Sequence, residues 1–142
     1  MLRVENLNAW YDRSHVLQGI SLEVNKGEIV TLMGRNGAGK TTTLRALMGL
    51  LSKRQGTAFI DGISFLDMPA HSRFHLGLAY VPEDRRIVPG LTVKENLELG
   101  IIAQKNRGDM SALVDEIAET FPRLKERLNQ DGTSMSGGEQ QM

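Results

Sequence analysis

The fold of this chain is decided by one glycine-rich stretch, Gly34-Arg35-Asn36-Gly37-Ala38-Gly39-Lys40-Thr41. The stretch matches the pattern G-x-x-x-x-G-K-[ST] at every fixed position. Glycines at this spacing let successive backbone N–H groups point inward around a phosphate, at the positive end of the following helix. Lys40 adds a positive charge toward the β- and γ-phosphates, and the Thr41 hydroxyl is placed to ligate Mg²⁺. The stretch therefore predicts a nucleotide triphosphate as the ligand.

The segments on either side of this loop predict a strand before it and a helix after it. Residues 29–33 form a short apolar run rich in β-branched residues, which is typical of a strand buried on both faces. Apolar residues at helical spacing predict a helix over residues 41–51. The predicted nucleotide-binding residues of this region are Gly34, Arg35, Asn36, Gly37, Ala38, Gly39, Lys40, Thr41 and Thr42.

The rest of the first half predicts an antiparallel β-subdomain, made of residues 1–26 and 57–66. Apolar residues alternate with polar ones up to Val24, which favours two antiparallel strands. The dipeptide Asp61-Gly62 favours positive φ angles and therefore a tight hairpin.

A second buried strand is expected at residues 78–81, where another short apolar run ends at a proline. A helix that Asp67 can cap, running to Gly77, precedes it, so this strand is expected to pair in parallel with the 29–33 strand. The nucleotide-binding core would then comprise residues 27–52 and 77–86.

Helical patterns dominate the second half and predict a helical subdomain over residues 88–134. Thr92-Val93-Lys94-Glu95 has the spacing of a capping box and opens a helix expected to reach about Lys105. An apolar stripe predicts a second helix from Met110 to Phe121, and a third, short helix is expected at residues 123–128.

Composition limits the possible functions. The 142 residues include 17 basic and 17 acidic side chains and no cysteine. The zero net charge argues against a nucleic-acid partner, and the missing cysteines exclude a disulfide scaffold and a cysteine-based zinc site. Neither a secretion signal nor a run of about 18 apolar residues is present, so we expect no export and no membrane crossing. The three histidines, which make a poor metal cluster, are His15, His71 and His75.

A second glycine pair follows the helical segment, in Met135-Ser136-Gly137-Gly138-Glu139. Ser136 can cap a helix, and glycine N–H groups at a helix start can form a second anion site. Together with the phosphate loop, this segment resembles the signature L-S-G-G-Q of ATP-binding-cassette (ABC) ATPases, with Met for Leu and Glu for Gln. The resemblance covers essentially the whole chain. It implies an α/β fold, with a P-loop NTPase core of ABC type, an antiparallel β-subdomain and a helical subdomain, truncated before the Walker B strand.

The resemblance implies roles for three further residues. Tyr11 lies where ABC ATPases keep an aromatic residue that stacks on adenine, and Val16 resembles the apolar residue beside it. Glu83 lies where the family has the glutamine of its Q-loop, so the implied catalytic residues are Lys40 and Glu83, and the implied Mg²⁺ ligands are Thr41 and Glu83. Alternatively, Tyr11 is a surface or core aromatic residue with no role in ligand binding, and Glu83 is a solvated glutamate with no role in the site.

The resemblance also implies partners. Two ABC domains bind two ATP molecules head to tail, so Ser136, Gly137, Gly138 and Glu139 would face the ATP held by a second ABC ATPase subunit. Hydrolysis would drive integral membrane permease subunits, which implies a cytoplasmic protein held at the inner face of the cell membrane. Arg85, Arg86 and residues 87–97 are the segment where such permeases dock in the family.

The segments around Glu83 resemble one subgroup, the ATP-binding subunits of branched-chain amino-acid importers. They read Val81-Pro82-Glu83-Asp84-Arg85-Arg86 and Leu91-Thr92-Val93-Lys94-Glu95-Asn96-Leu97. Importers of other amino acids, urea or amides share much of this pattern and remain an alternative.

No segment fits the Walker B strand, an apolar strand ending in Asp that ABC ATPases follow with a catalytic Glu. Asp61 fits a hairpin turn better, and Asp115 and Glu116 fit the polar face of a helix. In the family, Walker B and the switch histidine follow the signature. We therefore expect the 142 residues alone to be inactive in hydrolysis and marginally folded or unfolded.

Three alternatives remain open. A P-loop kinase or GTPase would leave Ser136-Gly137-Gly138 unexplained, and no guanine-specific N-K-x-D segment is present. An ABC ATPase of DNA repair or translation would usually carry a second cassette or long insertions. A non-catalytic fragment that binds nucleotide weakly or not at all is the third alternative.

Overall fold

The structure, a computed structural model, describes residues 1–84, 86–102 and 109–141. The chain divides into two units, Met1–Ala79 and Tyr80–Met142, and each unit has a hydrophobic core of its own. None of the described helices combines the length and the apolar character needed to cross a lipid bilayer.

The first unit contains a four-stranded antiparallel sheet. Its strands are Leu2–Tyr11 (β1), Ser14–Val24 (β2), Arg54–Ile60 (β3) and Ile63–Ser64 (β4). The strand order is β2-β1-β3-β4, and every pairing is antiparallel. Asp61 and Gly62 connect β3 to β4 with φ angles of 47° and 81°, so the hairpin expected from this dipeptide is confirmed.

An irregularity in β1 keeps its apolar residues on the core side. Simple alternation would place Val4 and Leu7 on opposite faces, yet both are buried. Asn6 has a φ of 50°, and the pairing register shifts between Val4 and Leu7, as at a β-bulge. Opposite the bulge, a Cβ at Gly56 would lie 2.5 Å from the Asn6 carbonyl oxygen, so only glycine fits there.

The helix after the glycine-rich loop, Lys40–Leu47 (α1), packs into the core beside the sheet. It ends four residues before the predicted Leu51, because Gly49 adopts a left-handed conformation with a φ of 77° and donates its N–H to the Ala46 carbonyl. The buried apolar residues of this core are Val4, Leu7, Ala9, Leu17, Ala46, Leu47, Leu51, Ala58, Phe65 and Leu66.

The next helix is short, Ala70–Arg73 (α2), and a 3-10 turn at Phe74–Leu76 continues it. The expectation that Asp67 caps this helix is wrong. Pro69 has extended angles, φ −55° and ψ 144°, and is the N-cap residue, so the helix starts after it.

The two predicted strands of the nucleotide-binding core do not form. Residues 29–33 and 78–81 have no regular secondary structure, and Ile29, Met33 and Val81 are 95%, 83% and 72% exposed. A strand needs a neighbour that accepts and donates its backbone hydrogen bonds. Within the described ranges, no segment pairs with either run.

The second unit is helical. Its helices are Val93–Ile102 (α3), Met110–Thr120 (α4) and Pro122–Lys125 (α5). The capping box predicted at the start of α3 is confirmed: the Thr92 N–H donates to the Glu95 carboxylate at 2.7 Å, and the Glu95 N–H donates to the Thr92 hydroxyl at 3.2 Å. The predicted end of this helix near Lys105 lies outside the described residues. The third predicted helix, 123–128, is only four residues long and begins one residue earlier.

Candidate nucleotide-binding site

The glycine-rich loop adopts a conformation that its glycines allow. Gly37 and Gly39 have φ angles of 82° and 92°, in the left-handed region that L-residues other than glycine rarely adopt. A Cβ at Gly39 would lie 2.8 Å from Cδ2 of Leu17 on β2, so a side chain there would also clash with the sheet. The loop is therefore held against β2 at the point where α1 begins.

The start of α1 presents unused donors. The backbone N–H groups of residues 39–42 donate to no acceptor within the described part of the chain, as expected for the first turn of a helix. No side chain caps this end, because the N-cap residue is Gly39. Thr43 instead returns its hydroxyl to the Gly39 carbonyl at 2.9 Å, which fixes the first turn. These free N–H groups and the positive end of the helix dipole favour an anion.

Lys40 places its charge at the same loop. Its Nζ donates to the carbonyls of Gly34 at 2.7 Å and Arg35 at 2.9 Å. The ammonium group thus lies over the loop backbone, and Thr41 beside it is exposed. The predicted phosphate-binding residues are brought together, and their chemistry fits a polyphosphate with a cation bound at the Thr41 hydroxyl.

The two residues expected to hold the base lie on the β1–β2 hairpin of the same unit. Tyr11 ends β1 opposite Ser14 and is 41% exposed, and Val16 is 36% exposed. The Val16 carbonyl lies 3.9 Å from the position of a Cβ at Gly39. Val16 is therefore beside the loop, and the exposed ring of Tyr11 is free to stack on a ligand.

Glu83 belongs to the second unit, where it is exposed in a segment without regular secondary structure. Among the described residues, no group of three or more His, Cys, Asp or Glu side chains could hold a metal ion.

The signature segment forms a second capping box. The Ser136 N–H donates to the Glu139 carboxylate at 2.9 Å, and the Glu139 N–H reaches the Ser136 hydroxyl at 3.4 Å. The hydroxyl and then the N–H of Ser136 lower the pKa of Glu139, and Arg127 and Arg123 lower it further. Ser136 and Gly138 are exposed, so the segment presents its backbone to solvent.

One residue that contacts this segment was not predicted from the sequence. Arg127 lies with its Nε 3.6 Å from Oε1 of Glu139, although the two residues are not at helical spacing. The S-x-x-E spacing of a capping box is visible in the sequence, whereas nothing in the pattern indicates which of several basic residues pairs with its glutamate.

Two segments have sequences that resemble a Walker B strand, and both have the structure that was predicted for them, a hairpin turn and a helix. Asp61 is a turn residue of the β3–β4 hairpin, and Asp115 and Glu116 are exposed residues of α4. Neither segment is therefore a strand whose last residue is acidic.

Comparison with known proteins gives the family. A family model described as ABC transporter matches residues 17–142. The high-affinity branched-chain amino acid transport ATP-binding protein BraG of Pseudomonas aeruginosa is 42% identical over 142 residues, which cover 100% of this chain and 60% of BraG. The lipopolysaccharide export system ATP-binding protein LptB of Haemophilus influenzae is 38% identical, over 98% of this chain and 58% of LptB.

A solved structure of an ATP-binding subunit of an ABC transporter has a TM-score of 0.84 and 33% identity, over 99% of this chain and 57% of the other. The predicted fold class, an α/β P-loop NTPase fold of ABC type, is thereby confirmed. The chain spans about 60% of the length of the curated relatives that it matches. With its phosphate loop, its antiparallel sheet and its signature segment, this chain belongs to the ABC transporter family.

Proposed function

We propose that this chain is the ATP-binding part of an ABC transporter subunit and that its loop at residues 34–41 binds the phosphates of ATP. The observation that carries this proposal is the set of free N–H groups at residues 39–42, next to the Lys40 ammonium. Binding would move Lys40 from the Gly34 and Arg35 carbonyls to phosphate oxygens, which accept stronger, charge-assisted hydrogen bonds.

The adenine base would stack on Tyr11 and contact Val16, because both are exposed on the hairpin that runs beside the loop. Mg²⁺ would be held by the Thr41 hydroxyl and by phosphate oxygens. Glu83 would complete the metal shell or orient water, and its negative charge favours the metal more than a neutral glutamine would.

The signature residues 136–139 would bind the γ-phosphate held by a second ABC ATPase subunit. Ser136 offers its hydroxyl, and the exposed Gly138 offers backbone close to the segment start. Hydrolysis in the complete domain would then drive integral membrane permease subunits from the cytoplasmic face. Arg86 and residues 87–97 are the segment that would contact them; Arg85 lies outside the described residues.

The transported substrate is proposed to be a branched-chain amino acid, and the direction to be import. The 42% identity to BraG, a branched-chain amino acid transport protein, supports this. The 38% identity to LptB supports a second candidate, lipopolysaccharide export, and importers of other amino acids, urea or amides are a third.

Reconstitution in liposomes tests the proposal. The full-length subunit is combined either with the permease subunits of a branched-chain amino-acid importer or with those of a lipopolysaccharide exporter. Uptake of radiolabelled leucine that requires ATP, and that is lost in Lys40→Ala, is the expected result. Lys26→Ala, an exposed turn residue of the same charge, is the matched control. ATP-dependent activity only with the exporter would favour the second candidate, and no activity with either would contradict both.

A further inference from the structure

The signature segment carries a negative charge at a place that is proposed to meet a phosphate. Glu139 is three residues from Ser136, and its carboxylate is turned back onto the Ser136 N–H at 2.9 Å. Only 14% of the Glu139 side chain is exposed. A carboxylate held so close to Ser136 repels an incoming anion unless its charge is compensated.

Arg127 provides a compensating charge. Its Nε lies 3.6 Å from Oε1 of Glu139, while Oε2 of the same carboxylate accepts the Ser136 N–H. The two oxygens of Glu139 are thus directed to different partners, one to the capping box and one to the guanidinium. Arg123 is a second, more distant cation, and its own ion pair is with Glu126 at 3.5 Å.

We propose that Arg127 is a positioning residue for the signature segment: it compensates the Glu139 charge and holds that carboxylate on Ser136, so that Ser136 can receive the phosphate of an ATP bound by a second subunit. This inference rests on the proposed function, since it assumes that Ser136 meets that phosphate. It predicts that Arg127 becomes dispensable once Glu139 carries no charge.

Glu139 has two properties that a substitution can separate: its side chain accepts the Ser136 N–H, and it carries a negative charge. Glutamine at position 139 accepts the Ser136 N–H as glutamate does but carries no charge. Glu139→Gln should therefore leave the segment formed and remove the need for Arg127. A merely structural role of Arg127, such as packing of its stem, would not be rescued by Glu139→Gln.

Association of the full-length protein with Mg·ATP, measured by analytical ultracentrifugation, tests this. Arg127→Met should weaken ATP-dependent association about tenfold when Glu139 is present. The double variant Arg127→Met/Glu139→Gln should associate within about threefold of Glu139→Gln alone. Lys125→Met is the matched control, because it removes one positive charge from α5, close to Arg127, without touching Glu139, and it should have no effect.

Three results would overturn the inference. One is a further tenfold loss when Arg127→Met is added to Glu139→Gln, and another is a tenfold loss in Lys125→Met. The third is a wild-type protein that binds ATP but whose copies do not associate with one another when ATP is bound. Failure of the wild type to bind ATP at all would instead contradict the proposed function.

If the wild type does not bind ATP, the ion pair between Arg127 and Glu139 can still be tested without nucleotide. The pKa of the Glu139 carboxyl, followed by carbon NMR, should rise in Arg127→Met because a stabilising positive charge is lost. An unchanged titration of Glu139 in Arg127→Met would overturn the pairing.

Discussion

A single buried arginine connects the helix after the phosphate loop to the segment after the sheet. Arg73 is completely buried, and no carboxylate pairs with it in the described part of the chain. Its guanidinium donates to the carbonyls of Leu47, at the end of α1, and to Met68 at 2.8 Å. Burial, and then the charge of Arg54, lower the pKa of Arg73, but an arginine pKa starts high enough for it to stay charged.

We expect Arg73→Met to reduce the free energy of unfolding of the first unit by about 3 kcal/mol or more. The Leu47 and Met68 carbonyls would lose their side-chain donors, at about 1–3 kcal/mol for each buried group left unsatisfied. Urea denaturation followed by circular dichroism measures this. Arg13→Met, at the exposed turn between β1 and β2, should change stability by less than about 0.5 kcal/mol. Equal effects of the two substitutions would contradict the role given to Arg73.

The residues differ in how far the sequence could predict them. Lys40 and Thr41 are recognisable because the phosphate loop is one continuous stretch whose spacing carries its chemistry. Arg73 and Arg127 bind partners that are distant in sequence or are backbone carbonyls, which carry no residue type. Such partners appear only once the chain is folded.

At the scale of elements, the starts of α3 and α4 are set by short local motifs. Thr92 and Glu95 satisfy each other's N–H groups at the start of α3, and Asp109 accepts the Ser111 N–H at 3.0 Å at the start of α4. Only the first of these caps was predicted from the sequence; the Asp109 cap was not, although it is equally local, and the cap predicted at Asp67 does not form. The strands predicted at residues 29–33 and 78–81 would each need a neighbouring strand from elsewhere in the chain. The composition of the two runs does not show whether such a neighbour is present.

The cap of α3 should depend on pH. The N–H and then the hydroxyl of Thr92 lower the pKa of Glu95. The folded form therefore gains stability above the pKa of unfolded glutamate, about 4.3, and loses it as the pH falls through the lower folded pKa. Amide exchange of α3, corrected for intrinsic rates, should show protection falling below about pH 4.3 in the wild type.

Glu95→Gln separates this cap from other carboxylates of the second unit. Glutamine still accepts the Thr92 N–H and does not titrate, so α3 should lose less protection on acidification in this variant. Identical pH dependence of α3 in the two proteins would show that Glu95 does not control the helix start.

At the scale of the whole molecule, residues 29–33 are an apolar run without a partner in the described chain. Ile29 and Met33 are almost entirely exposed, and Val30 and Leu32 are 47% and 40% exposed. Exposed apolar segments with free backbone groups promote association and aggregation. The run therefore leaves its apolar side chains available for such association.

Residues 1–142 by themselves should therefore bind the dye ANS and aggregate on heating. The double substitution Ile29→Lys/Met33→Lys should reduce both, because charges oppose apolar association. Ser52→Lys/Asn129→Lys, at two exposed polar positions, is the matched control because it adds the same two positive charges. A monomeric protein without ANS binding, with a cooperative melt well above 45 °C, would contradict this prediction.

The central claim is that the loop at residues 34–41 binds ATP through its backbone and Lys40. Its most direct test is a titration of the protein with ATP and with GTP, in the presence of Mg²⁺, by isothermal calorimetry. The account predicts that ATP binds more tightly than GTP and that Lys40→Ala weakens ATP binding at least about tenfold, while Lys26→Ala leaves it unchanged. Equal affinities of Lys40→Ala and wild type for ATP would contradict the account.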